Sequence, residues 1–307
     1  MLAASAVVTA VLLAFHRTVH RVAGGPGGLL ESFLPWLGLV VVALLGLALL
    51  RRSAVALVTL LVPAALWTHL HAGLLLPRPE PGARDLVVVQ HNVSDENGDP
   101  VGTARVLADA DPDLIALEEL VPSALPFYER ALAARYPYRT VQGSVGLWSK
   151  HPLTEAETLD VKPRGITKDW SRALRAVART PYGEIAVYVA HLPSVRVRAS
   201  GLASSWRDES AGLLGRAVEA EGLRKVILLG DLNGTVHDEG LAPLTSRMET
   251  PERGFAFSFP ASFPLARIDQ VMARSASVSH IRTLPATGSD HLPVAALVRP
   301  DGGPAGR

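Results

Sequence analysis

Five polar clusters, each closing or following an apolar run, carry the residue types that metal-assisted and acid–base chemistry requires. Val-Val-Val-Gln-His-Asn ends at Asn92, and Leu-Ile-Ala-Leu-Glu-Glu ends at Glu119. Val-Tyr-Val-Ala-His ends at His191, Ile-Leu-Leu-Gly-Asp-Leu-Asn supplies Asp231 and Asn233, and Gly-Ser-Asp-His supplies Asp290 and His291. Asn, Asp and Glu offer hard oxygen ligands for Mg²⁺ or Mn²⁺, and imidazoles serve proton transfer or charge stabilisation at phosphorus. Strand ends on one edge of a sheet converge in space, so these clusters are expected to form one site.

Strands must position them. Short apolar or alternating runs at Leu86–Val89, Leu114–Leu117, Val145–Trp148, Ile185–Ala190, Val226–Leu229, Ile268–Met272 and Val294–Val298 have strand length. Helical spacing falls between them at Thr103–Ala110, Ala124–Arg135 and Ser204–Glu221. Buried strands mixed with helices predict a layered α/β domain of about 215 residues. The 307-residue chain has no cysteine, which excludes a disulfide framework, a thiolate zinc site and a Cys nucleophile. From Pro81 onward there are 25 basic and 27 acidic residues. That balance argues against a domain built to grip duplex DNA through many phosphates, so nucleic acid is not an expected partner.

The first 80 residues read differently. Apolar stretches run from Leu2 to Phe15, Phe33 to Leu50 and Ala54 to Leu76, and the last two approach the roughly 20 residues that cross a bilayer. Residues 1–76 are therefore expected to be a membrane anchor of two to three transmembrane helices. Residues 77–84 form a Pro-rich linker, 85–299 the catalytic domain and 300–307 a flexible tail. Arg51 and Arg52 form the charged hinge between the second and third stretches, which predicts a cytoplasmic hinge and an extracytoplasmic catalytic domain. Arg17, Arg21 and Glu31 would then occupy an outer loop. His69 and His71, near the outer end of the third stretch, have two readings: proton or metal groups, or, the commoner case, interfacial histidines without a role.

Pro112-Asp-Leu-Ile-Ala-Leu-Glu-Glu119, Gly230-Asp-Leu-Asn233, Arg267-Ile-Asp269 and Gly288-Ser-Asp-His291, in this order with Asn92, resemble the endonuclease/exonuclease/phosphatase superfamily, the DNase I-like group. The resemblance covers about residues 85 to 298. It implies that the expected N-terminal transmembrane helices are followed by a four-layer α/β sandwich of two facing sheets, with the site at one edge. It further implies that Glu119 and Asn92 hold a divalent metal, Mg²⁺ or Mn²⁺, with Asp290 completing the shell. Asp231 would orient or deprotonate the attacking water, and Asn233 would donate to the phosphoryl oxygen. His291, fixed by Asp269, would sit against the phosphate, and His191 is a candidate acid for the leaving group. The Asn-x-Asp and Tyr-x-Pro-Asn patterns of the base-excision endonucleases are absent, which argues against DNA repair.

A basic run, Lys162, Arg164, Lys168, Arg172, Arg175 and Arg179, has two readings: a solvated loop, or a patch facing anionic headgroups or a substrate diphosphate. On the second, Arg172, Arg175 and Arg196 are candidate substrate-binding residues. Glu118 reads as a structural or solvated partner, Asp113 as a turn residue, His91 as either a core or a supporting histidine, and Asp238 and Glu239 as solvated loop residues.

Gln90-His-Asn-Val-Ser-Asp-Glu-Asn97, Gly146-Leu-Trp-Ser149, Ala190-His-Leu-Pro-Ser194 and Ala286-Thr-Gly-Ser-Asp-His-Leu-Pro293 resemble the membrane phosphohydrolases of glycopeptide-resistance clusters, the teicoplanin-resistance VanJ type. That resemblance implies a multi-pass cell-membrane enzyme acting outside the cytoplasm on a membrane lipid, with undecaprenyl diphosphate as the expected substrate. Three other readings stay open: an exported nuclease, a phospholipid phosphodiesterase, and a non-catalytic sensor of lipid or glycopeptide.

Overall fold

The computed structural model describes residues 1–18, 25–77, 82, 85–198 and 201–302. Arg21, most of the 77–84 linker and most of the 300–307 tail lie outside the described residues. The described chain forms two compact units. One comprises Met1–Leu76 with Arg196–Ala203 and His237–Glu239, and the other comprises Pro77–Val195, Ser204–Val236 and the chain from Gly240.

In the larger unit, alternation along the strands builds the layers. A six-stranded sheet has the order β12-β13-β1-β2-β4-β3, and a five-stranded sheet the order β11-β10-β7-β6-β5. The first contains β1 (Leu86–Asn92), β2 (Leu114–Glu118), β3 (Tyr138–Gln142), β4 (Val145–Ser149), β12 (Ala276–Thr283) and β13 (Val294–Pro300). The second contains β5 (Leu153–Thr158), β6 (Ala173–Thr180), β7 (Gly183–Ala190), β10 (Val226–Asp231) and β11 (Asp269–Arg274). Both are mixed: β1 pairs parallel with β2 and β7 with β10, and their remaining pairs are antiparallel.

Ile227 and Leu229 of β10 face the core between the sheets, alongside Val88, Leu114, Leu147, Leu174 and Val187. The intervening Val226 and Leu228 face the opposite way, against Ala211, Leu214 and Val218 of a helix at Ser205–Ala220. On the far face of the six-stranded sheet, Val89, Ile115 and Leu117 pack against helices Pro100–Asp109 and Leu125–Leu132 through Leu107, Tyr128 and Leu132. Helix, sheet, sheet and helix give the expected four layers, because each strand is apolar on both faces and each face needs its own cover.

The smaller unit holds α1 (Leu2–Ala14), α2 (Gly25–Ser32), α3 (Leu37–Leu50) and α4 (Ala54–His71). It also holds a hairpin of β8 (Arg196–Arg198) and β9 (Gly201–Ala203). Ala6, Val41, Leu44, Ala48, Ala56 and Leu60 form its interior, while Val8, Leu39, Val42, Val58 and Leu61 are exposed. Against the expectation of two to three spans, among the described residues one helix, Ala54–Leu75, is long and apolar enough to cross a membrane. Leu2–Ala14 and Leu34–Leu50 are apolar but shorter, the latter opened by a 3₁₀ turn at Leu34–Trp36 around Pro35.

Gly230 precedes Asp231 where β10 passes β7. A Cβ built on Gly230 would lie 1.9 Å from the Ala190 carbonyl oxygen, which is backbone and cannot yield. Gly230→Ala should therefore destabilise the larger unit by at least about 2 kcal/mol, read as a fall of roughly 5 °C in thermal midpoint in detergent. An unchanged midpoint would refute this account of the glycine.

Candidate active site

The antiparallel register places Asp231 at the end of β10 directly opposite Asp269 at the start of β11. Both side chains are fully buried. Two carboxylates on facing positions repel, and the imidazole of His291 lies with both. Its Nδ1 meets Asp269 Oδ2 at 2.8 Å, and its Nε2 stands 3.7 Å from Asp231 Oδ2. Burial lowers the basicity of His291, but the charges of Asp269 and Asp231 outweigh it and push its pKa up to about 10. Near neutral pH the ring is an imidazolium whose Nδ1–H donates to Asp269, while its Nε2–H faces Asp231 beyond hydrogen-bond distance. Burial raises Asp231 well above the usual carboxylate range, with Asp269 adding to the rise and His291 opposing it.

Neighbouring residues fix each member of the pair. Asp269 Oδ2 also accepts the Ser258 hydroxyl, and Gln90 Nε2 donates to Asp269 Oδ1 at 3.0 Å and to Glu118 Oε2 at 2.8 Å. Asn92 Nδ2 donates to Asp231 Oδ2 at 3.1 Å, while Asp231 Oδ1 accepts the Asn233 N–H at 2.9 Å. Ser289 Oγ donates to the Asn92 carbonyl at 2.7 Å and accepts the His291 N–H, tying the His291 loop to β1. Phe259 lies against His291 with ring centroids 4.8 Å apart. Ser258, Gln90, Ser289 and Phe259 received no role in the sequence reading, although Gln90 and Ser289 lie inside the quoted motifs, because their partners are distant in sequence. Arg207 escaped it as well. It lies in the helix expected at Ser204–Glu221, is buried, and donates to the Asn233 carbonyl at 2.9 Å.

His191, at the end of β7, faces the same centre. Arg172 Nη1 lies 3.4 Å from His191 Nδ1, and because guanidinium only donates, Nδ1 is the acceptor and Nε2 carries the hydrogen. That Nε2 is 3.7 Å from both Glu119 Oε1 and Asp231 Oδ2. Burial, reinforced by the charge of Arg172, pushes His191 down to about 3, so its ring is neutral near pH 7. A neutral imidazole is poorly suited to the leaving-group acid anticipated for it, and the charged ring at this site is His291. Arg172 stacks on Trp170 at 4.2 Å and faces the charges of Glu119, Asp231 and Asp95.

Glu119 follows β2 with φ of 58°, a left-handed conformation costing roughly 1 kcal/mol for a residue with a Cβ. The turn directs its carboxylate toward His191 and leaves it partly exposed, whereas Glu118 is wholly buried as a structural partner of Gln90, its carboxyl pushed by burial toward the neutral form. Asn233, with φ of 48°, donates through Nδ2 to the Leu192 carbonyl at 3.0 Å. His91 is buried, with Nε2 2.8 Å from Thr287 Oγ1, and supports the loop before His291.

Asn92, Glu119, His191, Asp231, Asn233, Asp269 and His291 are thus brought together. Asp290 is exposed beside them, and its backbone carbonyl accepts the Ala261 N–H. Arg175 is not: its guanidinium is held by Glu221 at 2.8 Å and Glu155 at 3.1 Å, because its strand position turns it toward those acids. Arg164 and Arg179 likewise pair with Glu209 and Glu184. Of the basic run, Arg172 is the member turned into the site. Arg196 belongs to the β8–β9 hairpin of the smaller unit.

Two donor groups bear on a divalent metal. Ligand atoms of Asp231, Asp269 and His291 lie within 4.8 Å of one another, but Asp269 already accepts from His291, Ser258 and Gln90. The more open set is Glu119 with Asn92. The Glu119 carboxylate, partly exposed, and the Asn92 amide oxygen, which also accepts the Ser94 N–H at 3.1 Å, are hard donors that suit Mg²⁺. The residues fit such an ion.

A model of the Endonuclease/Exonuclease/phosphatase family matches residues 89–291. Among solved structures, the chain is similar to an endonuclease/exonuclease/phosphatase from Beutenbergia cavernae, with 19% identity over 73% of each chain and a TM-score of 0.57. It is similar to sphingomyelinase C from Streptomyces griseocarneus, with 20% identity, 69% of this chain and 99% of that one covered, and a TM-score of 0.51. A mannosyl-6-phosphatase from Bacteroides thetaiotaomicron gives 17% identity, 69% and 99% coverage and a TM-score of 0.56. Identities at this level establish likeness of fold. No curated protein matches the sequence.

The Asp269–His291 pair sets a measurable titration. With its pKa raised to about 10, His291 should stay doubly protonated through neutral pH and lose that proton as pH rises past about 10. Asp269→Asn removes the principal raising charge and should lower the transition by roughly 1–3 units. Imidazole NMR of the two proteins checks this, and an unmoved His291 titration would refute the pairing.

Proposed function

The chain belongs to the endonuclease/exonuclease/phosphatase family, and from that membership we propose a membrane-anchored, extracytoplasmic, divalent-metal-dependent phosphohydrolase that converts a lipid-carrier diphosphate, undecaprenyl diphosphate, to the monophosphate and so contributes to teicoplanin resistance. The observation that carries the hydrolytic part is the convergence of Asp231, Asn92, Glu119, His191 and the Asp269–His291 pair on one centre. A pure sensor has no need for a buried imidazolium held against two carboxylates, and that arrangement favours turnover over binding alone.

Hydrolysis of a terminal phosphoryl group needs an aligned water, a base for its proton and positive charge on the phosphoryl oxygens. Asp231 supplies the base, held in place by Asn92 and the Asn233 N–H. Its raised pKa gives the carboxylate proton affinity closer to that of the attacking water. The imidazolium of His291 places Nε2–H beside Asp231, where it donates to a phosphoryl oxygen as charge develops there. Arg172, stiffened by Trp170, grips the remaining oxygens. Glu119 and Asn92 would hold the Mg²⁺ or Mn²⁺ ion. Such an ion would supply neutralisation of phosphate charge and polarisation of the scissile group.

The lipid part of the reading rests on the smaller unit. Its helices turn Leu39, Val42, Val58 and Leu61 outward around an interior of small and medium apolar residues, a pattern suited to a hydrocarbon solvent. A carrier lipid stays in the bilayer, so an enzyme tethered to the same surface meets it at high effective concentration.

Full-length protein in detergent with Mg²⁺ should release phosphate from undecaprenyl diphosphate, and EDTA or His291→Ala should abolish the release, by at least about 10²-fold for the variant. Arg172→Ala should weaken substrate binding more than turnover, raising KM several-fold. Release of a headgroup and diacylglycerol from sphingolipid or phospholipid vesicles instead would favour the phosphodiesterase reading, and DNA degradation with the lipid untouched would favour the nuclease.

A further inference from the structure

Asn233 is held at three points, and one of them comes from a residue outside the catalytic set. Its N–H donates to Asp231 Oδ1 at 2.9 Å and its Nδ2 to the Leu192 carbonyl at 3.0 Å. Its own carbonyl accepts Nη1 of Arg207 at 2.9 Å. Arg207 lies in the helix at Ser205–Ala220, 26 residues away in sequence, and is 1% exposed.

The guanidinium is itself aimed. Asp208 Oδ1 accepts its Nε–H at 2.7 Å, and Asp208 Oδ2 accepts the Ser204 hydroxyl at 2.7 Å. A planar fork with one edge on Asp208 presents its Nη1 in a fixed direction, which a single ammonium nitrogen cannot do. The next carbonyl is gripped as well: Gln270, wholly buried in β11, donates through Nε2 to the Gly234 carbonyl at 2.9 Å. Successive carbonyls of the loop after Asp231 are thus held by two side chains from two other elements.

The hold acts on a torsion. Asn233 has φ of 48°, a left-handed conformation that a residue with a Cβ seldom adopts. This angle is the rotation between the N–H end and the carbonyl end of one residue. Asp231 fixes the first end and Arg207 the second, so φ cannot relax while both bonds stand. Gly234 shows how closely the parts are fitted, since a Cβ built there would collide with Arg207 Nη1. The guanidinium end is the mobile partner in that clash, so Gly234→Ala pushes Nη1 off the Asn233 carbonyl with every donor still in the chain.

We infer that Arg207 is a positioning residue for hydrolysis: by holding the Asn233 carbonyl it keeps the Asn233 N–H on Asp231, the base of the reaction proposed above, on which this inference rests. Without Arg207 the carbonyl loses its donor, the peptide turns, and the N–H leaves Asp231. Arg207 acts on the alignment of the base and not on the grip of the substrate, which falls to Arg172. Its loss lowers kcat and leaves KM.

The test uses full-length protein in detergent, with undecaprenyl diphosphate and Mg²⁺ for turnover and amide hydrogen exchange for the loop. Arg207→Met keeps the length and removes the donors. It should lower kcat at least about tenfold with KM within about twofold of wild type. Its Asn233 amide should exchange at least about tenfold faster, while the amides of Ile227 to Leu229 in β10 keep wild-type rates. Arg207→Lys, which retains one donor, should recover part of both losses. Gly234→Ala should reproduce them with Arg207 present, and the double variant should be no worse than the poorer single, because both remove one bond. These two variants carry the same comparison should Arg207→Met fail to fold. Wild-type kcat in Arg207→Met, equal loss of protection at Asn233 and β10, or additive losses in the double variant would overturn the inference. If wild type releases no phosphate from this lipid, the substrate reading fails, and the exchange of Asn233 against β10 still decides the role of Arg207.

Discussion

Two carboxylates facing each other across adjacent strands, with an imidazolium inserted against both, are the interaction around which the larger unit is organised. Asp231 and Asp269 occupy paired positions of β10 and β11 and are fully buried. Two buried anions at that spacing are costly unless a cation and oriented donors accompany them. His291 supplies the charge, while Gln90, Ser258, Asn92 and the Asn233 N–H supply the donors. These groups come from four separate stretches of chain, so the pair requires both sheets to be in register before it can exist.

The same arrangement makes the site reactive. A carboxylate kept basic by burial lies beside an imidazole kept charged by its two carboxylate neighbours, and His191 is held neutral by burial and by Arg172. Titratable groups are thereby pushed apart in proton affinity within one centre, which assigns the base and the charged donor without further machinery. Backbone close approach permits this density. Gly230 passes the Ala190 carbonyl where a side chain could not, and Glu119 and Asn233 adopt left-handed backbone conformations that aim their side chains.

The smaller unit obeys a different logic. Its interior is made of Ala6, Val41, Leu44, Ala48, Ala56 and Leu60, while Leu39, Val42, Val58 and Leu61 are exposed. The polar residues it does bury, His16, Glu31 and His71, are collected near one another through the 237–239 segment and are not scattered.

How much of this could be read from the chain alone follows from the range of each interaction. Short apolar or alternating runs marked most of the strands of both sheets, and the four-layer arrangement follows because strands apolar on both faces need cover on each. Asn92, Glu119, His191, Asp231, Asn233, Asp269 and His291 were legible because each closes, opens or directly adjoins a strand at one edge. Arg175 was not, since a basic run says nothing about which members turn toward acids elsewhere, and Glu221 claims it from 46 residues away. Gln90, Ser258, Ser289 and Arg207 were silent for the same reason: a polar residue within or beside an apolar strand, or on a helix, acquires its role from a partner far along the sequence. Local periodicity is written into neighbouring residues, so the sequence by itself determined the elements and the strand ends where chemistry gathers. Charge pairing, proton affinity and the grouping of His16, His71 and His237 depend on contacts between distant segments and on burial, and only the tertiary structure decided them.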